Sequence, residues 1–197
     1  MTLAIIDSGG ANISSVMHAL KRLGAEPVFT SDAATIRTAD RVLLPGVGAA
    51  GAAMTRLKEL GLIQCIRELK QPVLGICLGM QLLFEKSTED DTRCLGIIPG
   101  TLQKMKPSEG IRVPHMGWNT TTSKKTDSLL AGLPEQPWYY FVHSYCAPIG
   151  PETLATCLHG ESFAAIVRQG NFCGAQFHPE RSARNGARLL ANFLELT

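Results

Sequence analysis

No run of apolar residues in this chain approaches the roughly 18 needed to span a bilayer. The opening Met1-Thr-Leu-Ala-Ile-Ile-Asp7 has neither the basic start nor the apolar length of a secretory leader, so the cytoplasm is the expected location. Charge of one sign is also missing. Lys and Arg number 19 against 17 Asp and Glu, leaving a formal net charge of +2. The basic residues are scattered apart from pairs such as Lys21-Arg22 and Lys124-Lys125, so nothing is arranged to follow a phosphate backbone and nucleic acid is not an expected partner. The six cysteines, at positions 65, 77, 94, 146, 157 and 173, show no C-x-x-C spacing, which argues against a zinc site and against a stapled secreted domain. Linkers, repeats and low-complexity tracts are absent as well. A chain of 197 residues then fits one domain, 1–197, large enough to bury a core without metal or disulfide.

What is present is an alternation of short β-type runs and helical patterns in the first half, the signature of βαβ units and a mainly parallel sheet. Leu3 to Ile6 reads as a buried strand. It is followed by the turn Asp7-Ser-Gly-Gly10 and a helix with apolar Ile13, Val16, Leu20 and Leu23, closed by Gly24. Val28 to Thr30 and Arg41 to Leu44 are further strands, Met54 to Lys70 is an amphipathic helix interrupted at Gly61, and Val73 to Ile76 is a central strand feeding a helix from Leu78. Beyond about Ser87 the pattern becomes mostly β, with runs at 95–105, 111–122, 138–147, 154–158, 163–167 and 172–177, before a last helix over 183–196. This second half is expected to be antiparallel or mixed.

Gly75-Ile-Cys77-Leu-Gly79 has the form of a nucleophile elbow, a reactive residue between glycines where an apolar strand turns into a helix. Glycine neighbours permit the sharp turn, and a helix N-terminus favours a thiolate. The other five cysteines read as small buried hydrophobes. A cysteine nucleophile needs a base and a group to orient it. His178-Pro-Glu180, after the β-run 172–177, offers both: in extended chain His178 and Glu180 project to the same side. A lone histidine at a strand end is by itself more often structural.

G-I-C-L-G followed far downstream by F-H-P-E resembles the class I (triad) glutamine amidotransferases. The segments Pro45-Gly-Val-Gly48, Gly75-Ile-Cys-Leu-Gly-Met-Gln81, Pro114-His-Met-Gly-Trp-Asn119, Tyr140-Phe-Val-His-Ser-Tyr145 and Gln176-Phe-His-Pro-Glu180 carry the likeness over essentially the whole chain. The two segments at 114–119 and 140–145 resemble in particular the glutaminase subunits of imidazole glycerol phosphate synthases. The resemblance implies a flavodoxin-like α/β fold, with a central mostly parallel sheet, helices on both faces and added antiparallel strands in the C-terminal half. It implies Cys77 as nucleophile, His178 as base and acid, and Glu180 as the group holding the imidazole. Leu78 N–H and the loop with Val47 and Gly48 would form the oxyanion hole, and that loop is expected to be the regulatory point. Gly46, Gln81, Glu89 and backbone groups of His143, Ser144 and Tyr145 would bind glutamine, although Gln81 and Glu89 could equally be solvated surface residues. Pro114, His115, Met116, Gly117, Trp118 and Asn119 would face the partner, a (β/α)8 cyclase that accepts the ammonia; core packing of Met116 and Trp118 is the alternative. No metal and no organic cofactor is implied. Two small departures leave the chemistry intact: Asp7-Ser-Gly-Gly-Ala-Asn12 varies around a D-x-G-x-x-N theme, and Arg181 stands where Lys is frequent.

Other readings compete. Gly46-Val-Gly-Ala-Ala-Gly51 matches the dinucleotide fingerprint G-x-G-x-x-G, but Pro45 precedes it, it does not follow the first strand, and no acidic residue ends the next strand. The glutaminase components of anthranilate or aminodeoxychorismate synthases share the elbow and triad but not P-H-M-G-W-N. A catalytically silent subunit is opposed by the intact Cys77, His178 and Glu180, and a cysteine hydrolase of peptides or glutamyl conjugates remains open.

Overall fold

The computed structural model describes residues 1–9 and 13–196; residues 10–12, the end of the D-x-G-x-x-N turn, and residue 197 lie outside them. The first half builds β1 (Leu3–Ile6), α1 (Ile13–Arg22), β2 (Pro27–Thr30), α2 (Ala33–Thr38), β3 (Arg41–Gly46), α3 (Ala50–Glu59), α4 (Leu62–Arg67), β4 (Val73–Cys77) and α5 (Leu78–Leu82). The second half adds β5 (Phe84–Ser87), β6 (Thr92–Arg93), β7 (Ile98–Lys104), β8 (His115–Ser123), β9 (Trp138–His143), β10 (Tyr145–Cys146), β11 (Thr153–His159), β12 (Glu161–Gln169), β13 (Phe172–Ala175) and α6 (Ala183–Glu195).

Nine strands form one sheet in the order β2-β1-β3-β4-β13-β12-β11-β8-β9. From β2 to β13 every pairing is parallel, and from β13 to β9 every pairing is antiparallel. The expected parallel core with added antiparallel strands from the C-terminal half is what the sheet shows. The last strand in sequence, β13, pairs with β4 and brings the chain back beside the elbow. A second sheet, β10-β7-β5-β6, was not foreseen as a separate layer. The helix interruption at Gly61 is real: this residue has φ 67° and separates α3 from α4.

Alternation along the central strands divides the core. In β1, Leu3 and Ile5 pack with Val16 and Leu20 of α1 and with Leu189, Leu190 and Phe193 of α6. Ala4 and Ile6 point the other way, to Ile36 of α2, Leu57 of α3 and Ile66 of α4. Each large side chain so buried contributes about 1.5–3 kcal/mol, which is why strands buried on both faces read as continuous apolar runs. Helix α1 ends in a Schellman turn, with Ala25 N–H donating to the Leu20 carbonyl at 3.1 Å, Gly24 N–H donating to the Lys21 carbonyl at 3.0 Å, and Gly24 at φ 80°.

Two glycines differ in what constrains them. A side chain at Gly24 would meet nothing within 4 Å, whereas a methyl on Gly186 of α6 would run into the Pro179 carbonyl. Gly24→Asn is expected to be nearly neutral, because Asn tolerates the left-handed conformation. Gly186→Asn is expected to cost about 3 kcal/mol or to prevent folding. Urea-unfolding midpoints compare them, and equal midpoints would mean that the packing of α6 on Pro179 relaxes freely.

Candidate active site

Strands β3, β4 and β13 lie side by side, with Gly46 opposite Cys77 and Ala175 opposite Ile76. The segments that follow them open at one place, the carboxyl edge where open α/β sheets bind ligands. Cys77 ends β4 and precedes α5, with φ 53° and ψ −111°. A Cβ on Gly75 would stand 2.6 Å from the Gly79 carbonyl oxygen, one on Gly46 would stand 3.0 Å from the Gly79 amide nitrogen, and one on Gly79 would strike the Leu44 carbonyl. The elbow glycines are thus required by close backbone packing around a strained residue.

His178 lies just beyond β13, its N–H donating to the Tyr140 carbonyl at 2.9 Å. Its Nδ1 is 2.9 Å from Glu180 Oε1, and both side chains are largely buried. Residues 179–181 form a 3-10 turn rather than the extended chain expected, with Pro179 at its first position and His178 extended at φ −97°. Proline dictates both: it suits the first helical position and forces its predecessor out of the helical region. The ring and carboxylate meet across that turn. With Nδ1–H given to Glu180, the other ring nitrogen is left for Cys77, which lines the same cavity and whose Sγ donates to the Val142 carbonyl at 3.6 Å. Burial alone would lower the imidazole pKa, but the hydrogen bonds and charges of Cys77 and Glu180 outweigh it and push His178 up to about 10. The ring is therefore a protonated acid beside a sulfur at neutral pH.

In front of Cys77 lies a cavity of about 330 Å³ whose lining includes Val47, Gly48, Leu78, Gln81, Glu89, His143, Ser144, Tyr145 and His178. Gly46 lines a smaller hollow of about 180 Å³ behind Val47, next to Glu180 and Arg181. A cleft of about 420 Å³ elsewhere, flanked by Asp127 and Leu130, is lined by neither cysteine nor histidine.

The family model for class-I glutamine amidotransferases matches residues 4–196. The chain belongs to that family. This amidotransferase is 56% identical over 195 residues to the imidazole glycerol phosphate synthase subunit HisH of Xanthomonas axonopodis pv. citri, covering 99% of this chain and 98% of the relative. It is 55% identical over 194 residues to the HisH subunit of Xylella fastidiosa, covering 98% and 97%. These identities place it in the HisH group. A crystal structure of a glutamine amidotransferase superposes with a TM-score of 0.76 at 21% identity, covering 98% and 97% of the two chains. PurLQS from Thermotoga maritima gives 0.74 at 19%, covering 98% and 97%. Both share the fold.

The amidotransferase brings most of the expected site residues together. Gln81 is buried, and its Nε2 donates to the Tyr145 carbonyl and to Gln176 Oε1, each at 3.0 Å. Both amide hydrogens are used internally, so the Gln81 carbonyl oxygen is the end left for a ligand. Glu89 reaches the cavity but also caps α3, Oε2 accepting from Ala50 N–H at 2.8 Å where Ala49 offers no side-chain cap. In β8, alternation splits the segment expected to face a partner. Met116 and Trp118 are 64% and 51% exposed, which removes the core-packing alternative for them, and Pro114 is exposed too. His115 is 3% exposed and faces inward, a correction, because a strand cannot present successive residues to one side. Gly117 and Asn119 are half-buried. Trp118 meets Tyr140 edge to face at 6.1 Å, and the Arg181 guanidinium lies 4.7 Å over the Tyr140 ring.

Two supporting residues escaped sequence reasoning. Gln176 is fully buried with Nε2 4.0 Å from Cys77 Sγ. It precedes Phe177-His178 with nothing in the sequence to set it apart from other strand residues. Ser182, also fully buried, donates its hydroxyl to the His178 carbonyl at 2.6 Å and accepts Tyr140 N–H at 2.9 Å, tying the histidine to β9. Nothing in the sequence marks it. All six cysteines are unpaired and buried; burial pushes Cys94 up to about 11, and Cys146, Cys157 and Cys173 up to about 12.

Because His178 is raised from 6.5, the interaction stabilises the folded state fully below about pH 6.5 and is lost as pH rises through about 10. The stability difference between the wild type and Glu180→Gln should follow that window, full near pH 6 and shrinking toward pH 10. Urea unfolding at a series of pH values reads it, and a gap that widened with rising pH would contradict the assignment.

Proposed function

We propose that this chain is the glutaminase subunit of an imidazole glycerol phosphate synthase, built as one amidotransferase domain, working in the cytoplasm beside a (β/α)8 cyclase. The observation that carries the reading is the placing of Cys77 and His178, the latter paired with Glu180, on the wall of the cavity that Gln81, Glu89 and Tyr145 also line.

Cys77 Sγ attacks the side-chain amide carbon of glutamine, and the carbonyl oxygen becomes an oxyanion. Leu78 N–H, the first amide of α5, and the backbone of the Val47–Gly48 loop receive that charge. The Gly48 φ of 90° lets the loop peptide turn without a side chain in the way. His178, protonated and oriented by Glu180, gives its proton to the departing nitrogen, ammonia leaves, and a thioester remains. A water molecule, deprotonated by the now neutral His178, attacks the thioester, releasing glutamate and freeing Cys77 and the protonated His178 for the next turnover. The ammonia passes to the cyclase, where the joint reaction turns the phosphoribulosyl-formimino-carboxamide nucleotide (PRFAR) into imidazole glycerol phosphate and AICAR. The phosphate-bearing substrate binds the partner, and neither a metal nor an organic cofactor takes part on this chain. Exposed Met116 and Trp118, with Tyr140 and Arg181 beside them, have the aromatic and arginine character of an interface anchor.

Glutamate release by the chain alone, with a cyclase, and with cyclase plus its nucleotide tests this reading. Stimulation that requires the cyclase and disappears in Cys77→Ala is expected, with His178→Ala slower by about 10²–10⁴-fold. Turnover indifferent to the cyclase would move the chain to another synthase, and no turnover under any condition would leave a silent subunit. The loop is also the proposed point of regulation, since an uncoupled glutaminase wastes glutamine. Proline cannot adopt the Gly48 angle, so Gly48→Pro should lose partner-stimulated turnover; unchanged stimulation would remove the loop from that role.

A further inference from the structure

A file of hydrogen bonds leads from the nucleophile to the strand bearing Met116 and Trp118. Gln176 Nε2 stands 4.0 Å from Cys77 Sγ, and Gln176 Oε1 accepts from Gln81 Nε2 at 3.0 Å. Gln81 Nε2 also donates to the Tyr145 carbonyl. His143 Nδ1 lies 2.9 Å from the same carbonyl, a contact that only an N–H can make, so His143 Nε2 is left as an acceptor. His115 Nδ1, 3.0 Å from that acceptor, must then be the donor. Its Nε2 in turn accepts from Asn119 Nδ2 at 3.3 Å, and Asn119 Nδ2 donates also to the Leu158 carbonyl at 2.9 Å. One assignment of protons satisfies every contact, and it requires both rings to be neutral. Burial, aided by the charges of neighbouring histidines, pushes His115 down to about 3 and His143 to about 4, so both are neutral.

The His115 ring is held from both sides, stacked on Phe141 at 4.7 Å and on His159 at 4.0 Å. Apolar packing alone would be served by a phenylalanine there. The imidazole adds a donor aimed at His143, and through it a fixed position for the Tyr145 carbonyl, part of a residue that lines the cavity. A fully satisfied buried polar network of this kind specifies one arrangement of the groups that it joins.

We propose that His115 and Asn119 are positioning residues for glutamine: acting through His143, they hold the Tyr145 peptide and the Gln81 amide where the substrate side chain meets them. The proposal rests on the reading of the cavity as the glutamine site. Because His115 and Asn119 alternate with Met116 and Trp118 along β8, the same strand that offers the partner face also carries the far end of the file.

The test is saturation of Cys77 labelling by a chloroketone analogue of glutamine, read on the full-length chain by mass spectrometry. His115→Phe keeps a ring in the stack and removes the donor; His115→Asn returns an amide N–H near the Nδ1 position. The concentration of analogue giving half-maximal labelling should rise about tenfold in His115→Phe with the limiting rate within about twofold of wild type, the loss of one hydrogen bond felt in binding. His115→Asn should recover most of it. An unchanged half-saturation in His115→Phe would overturn the proposal. So would equal impairment of both variants in step with a common fall in unfolding midpoint, which marks a purely structural role. Wild-type protein that is never labelled at Cys77 would overturn the glutaminase reading itself, and that result is visible before any variant is made.

Discussion

At φ 53° and ψ −111°, Cys77 occupies a backbone conformation that costs on the order of 1–3 kcal/mol, and close packing of peptide against peptide keeps it there. Leu44 of β3 and Gly79 of α5 approach so tightly that no Cβ fits between them, and Gly75 is wedged against Gly79 in the same way. The approach sets where α5 starts, hence where its free amides point, and it pins the exit of β3 to the exit of β4. The Val47–Gly48 loop, Cys77 and the first residues of the Gln81 helix are consequently one mechanical piece.

The histidine is delivered by a different part of the fold. Strand β13 reaches β4 only after the chain has crossed the whole antiparallel half, and what holds His178 on arrival is not the sheet but Ser182, Tyr140 and the turn begun by Pro179. The two halves of the proposed catalytic group thus depend on distinct interactions: backbone contact for the sulfur, hydrogen bonding and a carboxylate for the ring. Neither half alone defines a reactive site.

How much of this could be read in the residues depends on how local each signal is. Cys77 lay between glycines in five consecutive positions of pattern, and His178-Pro-Glu180 carried an imidazole and a carboxylate within three residues, so both were legible. The inward turn of His115 was not, since Pro114 to Asn119 was treated as one exposed block when strand alternation divides it. The small second sheet was missed as a separate layer because β6 and β10 are two residues each and show no period. Helix α2 was missed for its six-residue length, although Asp32 capping the Thr35 amide at 2.8 Å was a readable start signal. Ser182 had no signal at all: a serine between arginine and alanine acquires its role only when α6 folds back onto β9.

The burial of the remaining cysteines has a consequence for anyone handling the protein. Five sulfurs are packed in the interior, where burial holds Cys65, Cys94, Cys146, Cys157 and Cys173 toward the protonated thiol. Cys77 is the cysteine that lines the cavity, so a small electrophile entering there meets, in the folded state, one address. Fluorophores, affinity handles and crosslinkers can therefore be placed at Cys77 without first stripping the chain of its other cysteines, and a count of reacted sulfurs above one reports unfolding.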